Sequence, residues 1–143
     1  MNLMDMVAAA KAAAEPAQLT DAIPYARFLG LTLSIDDKGL LCRLEGGRRI
    51  IGNPTLPAIH GGVIGALLES AAILHLLWER EGAQLPKTVN VSIDYLRSGK
   101  PRETFARGVI TKQGRRVANV RADAWQDDPA KPIAAAHGHF LLT

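Results

Sequence analysis

His60, Gly61 and Gly62 stand in succession at the head of a long apolar stretch, and Glu69 breaks into that stretch seven residues later. Two glycines at the start of a helix leave backbone N–H groups, and the positive end of the helix dipole, open to a ligand. Such a helix start suits an oxyanion, for example the charge that develops on a carbonyl oxygen under attack. Between Gly62 and His75 the only polar side chains are Glu69 and Ser70. A carboxylate among apolar positions costs several kcal/mol unless it is paired or protonated. It therefore reads either as a general base or nucleophile, or as a structural carboxylate that accepts from loop amides. Each half of the pattern is weak alone, because Gly-Gly can relieve crowding and a histidine at a loop-to-helix junction often caps or packs. Their combination is far more specific.

Spacing adds a condition. Gly61 and Glu69 are eight residues apart, roughly 12 Å along a helix axis. One carbonyl group cannot meet both, since reacting atoms must lie about 3 Å apart. Two antiparallel copies of the helix, related by a two-fold axis, would bring Gly61 of one beside Glu69 of the other. The spacing thus predicts a dimer with shared active sites.

The elements that must hold these residues are legible in the periodicity. Residues 3–14 are Ala-rich and helix-prone, and Pro16 ends them. Thr20 reads as the N-cap of a short helix through Phe28, closed by Gly30. Residues 31–35 alternate as a strand does, Asp36-Asp37-Lys38-Gly39 is a turn signal, and residues 40–44 form the returning strand. Residues 46–59, with three glycines and two prolines, read as a long loop. The long helix covers 62–80 and is apolar almost all round, so it should be wrapped rather than lie on a surface. Strands are predicted over 88–96, 103–111, 117–125 and 133–142. In the third, Ala118, Val120, Ala122 and Ala124 share one face, and small residues there let a helix approach closely. The fold class is α+β: one long buried helix against a curved antiparallel β-sheet.

Bulk properties exclude several classes. A chain of 143 residues, 48% hydrophobic and 22% charged, fits a single globular domain. A net charge of +3 favours an anionic small ligand, and aromatics at 5% offer few platforms for stacking bases, so nucleic acid is not expected. Cys42 is the one cysteine; it reads as an inert strand residue, without disulfide or cysteine-based zinc. His75, His137 and His139 lack metal-ligand spacing, and neither metal nor cofactor is required. The N-terminus has no signal-peptide pattern and the longest apolar run is short, so a cytoplasmic protein away from the membrane is expected.

The run His60-Gly61-Gly62-Val63-Ile64-Gly65-Ala66-Leu67-Leu68-Glu69-Ser70 resembles the signature of the hotdog-fold thioesterases related to the phenylacetate-pathway enzyme. The resemblance continues through Val89-Asn90-Val91-Ser92-Ile93-Asp94-Tyr95-Leu96-Arg97, Lys112-Gln113-Gly114-Arg115 and the closing strand. It covers residues 23–143 as a hotdog domain, with residues 1–22 as an Ala-rich lead-in helix. It implies hydrolysis of acyl-CoA thioesters. The Gly61 N–H would polarise the carbonyl, with His60 and Gly62 shaping the hole, and Glu69 would be nucleophile or general base. Thr88 matches a position that helps hold the attacking water. Asn53 resembles a carbonyl-binding Asn, set seven residues before His60 where six is usual. Arg97, Arg115 and Arg116 match positions that contact the CoA nucleotide. A homodimer or homotetramer is implied. Two other readings share the fold: a non-catalytic acyl-CoA binder, and an acyl hydratase or dehydratase.

Overall fold

In the computed structural model, which describes residues 2–82 and 84–143, helix α1 (Leu3–Ala13) opens the chain. Asn2 caps it: its side chain accepts from the Asp5 N–H at 2.9 Å, while the Asp5 carboxylate accepts from the Asn2 N–H at 3.2 Å. This reciprocal pair satisfies two donors that the first turn would otherwise orphan. Val7 and Ala10 bury into the same core as the long helix, and Lys11 Nζ donates to the Arg80 carbonyl at 2.7 Å.

One short helix was expected next, but there are two, α2 (Ala17–Ala22) and α3 (Pro24–Leu29). Pro24 disfavours helical backbone at Ile23, which is extended at φ −109° and ψ 107°, and is itself well suited to a helix's first position. Thr20 is consequently not an N-cap. It lies buried within α2, where its hydroxyl donates to the Ala17 carbonyl at 2.8 Å. Gly30 does close α3, with φ 76°.

Strands β1 (Leu31–Asp36) and β2 (Gly39–Leu44) make the expected hairpin, with Leu33 opposite Cys42 and Leu31 opposite Leu44. Burial pushes the Cys42 thiol up to about 12, so it stays protonated. Residues 46–59 are more ordered than a loop. They hold a 3-10 turn (Arg48–Ile50) and a small hairpin of β3 (Ile51–Asn53) and β4 (Ala58–Ile59). A Cβ at Gly52 would come within 2.6 Å of His60 Cα, so only glycine lets β3 pass beneath the helix start.

Helix α4 (Gly61–Glu79) begins one residue earlier than expected, because the His60 side chain caps it. By length and composition α4 could cross a membrane, yet half of its apolar window is buried inside the fold. Leu67, Leu68, Leu74 and Leu76 are buried, each stabilising the fold by roughly 1.5–3 kcal/mol. Strands β5 (Lys87–Tyr95), β6 (Thr104–Gln113), β7 (Val117–Trp125) and β8 (Ala134–Leu141) complete the sheet in the order β1-β2-β6-β7-β8-β5, antiparallel throughout. The sheet wraps α4, which packs chiefly against β6, β7, β8 and β2 and also touches β5. This is the hotdog fold. Ala106, Ala118, Ala122, Ala124 and Ala134 make the inner face shallow, and a Cβ at Gly108 would meet His75 Cβ at 3.0 Å.

That close approach half-buries His75 and leaves its Nδ1 without a hydrogen-bond partner among the described residues. Burial, with a smaller contribution from the Arg107 charge, holds its imidazole below the usual 6.5, although Glu79 pulls the other way. The folded state therefore binds this proton less readily than the unfolded chain, and stability rises with pH across the window just below 6.5. Urea midpoints should fall between pH 7 and pH 5, and fall less in His75→Leu. The carboxylates held low by arginines, Asp36 and Asp127, lose their contributions only below the ordinary 3.8, outside that window. An equal pH slope in both proteins would remove His75 as the cause.

Candidate active site

The helix start is built around His60. Its backbone N–H donates to the Ile50 carbonyl at 2.8 Å, fixing it against the loop, and its Nδ1 accepts from the Gly62 N–H at 2.8 Å. An imidazole that accepts at Nδ1 carries its proton on Nε2 when neutral, so Nε2 is left as an outward donor. A side chain at Gly62 would put its Cβ 2.9 Å from Nδ1, which explains the second glycine sterically. It also commits the Gly62 N–H to His60. Among the described residues nothing accepts from the Gly61 N–H, which makes it the open donor of the pair.

Tyr95 was not singled out from the sequence. It ends β5, and its hydroxyl donates to the Gly61 carbonyl at 2.8 Å. The Gly61 carbonyl and the Gly62 N–H belong to one peptide unit, so Tyr95 and His60 hold that unit from both ends. Such chains of hydrogen bonds polarise one another. In the sequence Tyr95 stood only as one residue of the alternating run Val89 to Arg97, which by itself gives it no role at a site. Tyr95→Phe should lower kcat about fivefold to tenfold, the worth of one neutral hydrogen bond, with KM and the urea midpoint little changed. Unchanged kcat in the folded variant would leave Tyr95 as packing only.

Gly61 and Tyr95 border a cavity of about 360 Å³ that Ala58, Ile59, Ile64 and Arg97 also line. Arg97 is anchored there, its backbone N–H donating to the Ile133 carbonyl at 3.1 Å. Glu69 stands elsewhere. It is half-buried in the wall of a second cavity of about 310 Å³, between α4 and the α2–α3 junction. Among the described residues no hydrogen-bond donor reaches its carboxylate, so the alternative of a structural carboxylate bonded to loop amides finds no such bond.

The remaining candidates are dispersed. The Asn53 side-chain oxygen accepts from the Thr55 and Leu56 N–H groups at 3.1 and 3.2 Å, closing the β3–β4 hairpin as an Asx turn. Thr88 lies opposite Phe140, and a bulge at Val89 sets it on the helix-facing side of β5 with Val91, Ile93 and Tyr95. It is seven residues from Tyr95, roughly 23 Å along the strand. Arg115 and Arg116 occupy the β6–β7 turn at that same far end, whereas Arg97 sits beside the start of β8. One chain thus gathers Gly61, His60, Tyr95 and Arg97 at one end of the sheet, Thr88, Arg115 and Arg116 at the other, and Glu69 between.

One long helix wrapped by a six-stranded antiparallel sheet defines the hotdog class. Residues 56–133, more than half the chain, match the Thioesterase superfamily, and the protein belongs to that family. It is 25% identical over 134 residues to the medium/long-chain acyl-CoA thioesterase YigI of Salmonella typhimurium, covering 84% of this chain and 86% of that one. Among solved structures, a Chromobacterium violaceum protein is 44% identical with TM-score 0.80 and 97% of each chain covered. A Bacillus halodurans protein solved with CoA has TM-score 0.71 at 23% identity, covering 99% and 88% of the two chains. A variant of the phenylacetic acid degradation protein PaaI from Thermus thermophilus has TM-score 0.69 at 21% identity, covering 85% and 100%.

Proposed function

We propose that this protein hydrolyses acyl-CoA thioesters in a site shared between two copies of the chain. The observation that carries this reading is the division of labour along α4: an open N–H at Gly61 and, about 12 Å away, an unpaired carboxylate in an apolar cavity. In the proposed mechanism the thioester oxygen accepts from the Gly61 N–H, with His60 Nε2 as a second donor. Glu69 of the other subunit either takes a proton from a water that adds to the carbonyl carbon, or itself adds there; the C–S bond then breaks and CoA departs as thiolate and picks up a proton. In the first course the acid is formed directly, and in the second water cleaves the acyl–Glu69 anhydride to release it. The CoA-bound neighbour and the acyl-CoA thioesterase relative support the substrate class.

The edge strand supports the assembly. Among the described residues β5 pairs on one side only, with β8, and Val89 and Tyr95 are 60% and 56% exposed on it. An unpaired edge bearing apolar side chains invites another strand. Antiparallel pairing of two β5 strands about a two-fold axis would set the Thr88, Arg115 and Arg116 end of one subunit beside the Gly61 and Arg97 end of the other. Thr88 would then hold the attacking water, and the arginines would meet the CoA phosphates. Thiol release from a panel of acyl-CoA esters tests the reading. Steady release that depends on Glu69 is expected; tight CoA-ester binding without release would make this a binder instead.

A further inference from the structure

We propose that the cavity beside Glu69 is an acyl pocket gauged for unbranched chains of about eight to twelve carbons, with the α2–α3 junction as its selective wall; this rests on the thioesterase reading above. The cavity measures about 310 Å³. A cavity of about 150 Å³ lined by aliphatic side chains is enough to hold benzene, so this one takes about twice that load. A lone aryl group would leave roughly half of it empty. Apart from Glu69 and Ser70, every side chain that lines it is apolar except for the Tyr25 hydroxyl. A hydroxyl or carboxyl at the far end of an acyl group would thus be poorly served, at a cost that selects for plain hydrocarbon.

Two walls face each other across this space. One is α4, through Glu69, Ser70, Ile73 and Leu74; the other is the bend between α2 and α3, through Ala22, Ile23, Pro24 and Ala26. The bend exists because Pro24 breaks the helix, and the break turns Ile23 and Tyr25 toward α4. Tyr25 and Leu85 also border the cavity and are 55% and 41% exposed. A hydrocarbon chain seated between the walls would cover them.

The test is kcat/KM across straight-chain acyl-CoA esters from acetyl to palmitoyl, with benzoyl-CoA alongside. Efficiency should climb by about fourfold per added methylene and peak between about eight and twelve carbons. Ala22→Trp, which fills the cavity, should lower the ratio of decanoyl- to butyryl-CoA efficiency by at least about tenfold. Ile23→Ala, which enlarges it, should move the peak to longer chains, and it tests the proposal even if the Trp variant does not fold. A flat profile, a peak on benzoyl-CoA, or a peak that the folded variants leave in place would overturn the pocket assignment while hydrolysis stands. No hydrolysis of any ester would instead overturn the thioesterase reading, and the pocket with it.

Discussion

Glu69→Gln should lower kcat by at least about a hundredfold while acyl-CoA binding survives. The substitution keeps the length and planar shape of the side chain and removes its charge, so what is lost is the ability to attack or to take a proton. Loss of a general acid–base group costs about a hundredfold to ten-thousandfold in rate. The fold should tolerate the change, because Glu69 is only half-buried and no hydrogen-bond donor among the described residues reaches it. Removing a charge from an apolar wall leaves no partner stranded. Steady-state turnover and equilibrium binding of a CoA ester, measured on the same folded preparation, separate chemistry from affinity. Parent-like turnover would take Glu69 out of the reaction.

Mixed dimers of Gly61→Pro and Glu69→Gln should recover up to about half the activity of the parent dimer, although each variant alone is nearly inactive. Proline removes the open N–H at Gly61 and nothing else that the helix needs. Gly61 is the first residue of α4, where proline is well accommodated. The preceding His60 has φ −59° and ψ 132°, the extended conformation that a residue before proline adopts. A Cβ at Gly61 would stand 3.5 Å from the Tyr95 ring, an ordinary contact. If each site takes Gly61 from one subunit and Glu69 from the other, a mixed dimer holds one site with both defects and one with neither. If both groups came from one chain, every site would keep a defect and mixing would restore nothing. Absence of recovery in confirmed heterodimers would therefore sink the shared site, yet leave thioester hydrolysis open.

Much of this molecule could be read from local pattern. The alternation of Ala118, Val120, Ala122 and Ala124 identified the inner face of β7, and all four are buried. The turn at Asp36-Asp37-Lys38-Gly39 identified the β1–β2 hairpin, and the apolar run after His60 identified α4 as a wrapped helix. These features depend on residues within a few positions of each other, whose periodicity and turn chemistry act before any distant contact forms. The break at Pro24 was equally local, and the rule on residues before proline would have found it. Glu69 and the His60-Gly61-Gly62 start stood out for the same reason, a polar or flexible residue where the pattern called for an apolar one.

What tertiary structure alone decided is which distant segments meet. The sheet order carries β5 past β8 to an edge, so Tyr95 reaches Gly61 across 34 positions of sequence and anchors the peptide that His60 holds from its other end. Neither residue's pattern contains the other. The cavity beside Glu69 likewise arises from α2 and α3 folding back on α4. Periodicity tells which face of an element seeks burial; it carries no record of the partner, because any apolar surface of matching shape would satisfy it.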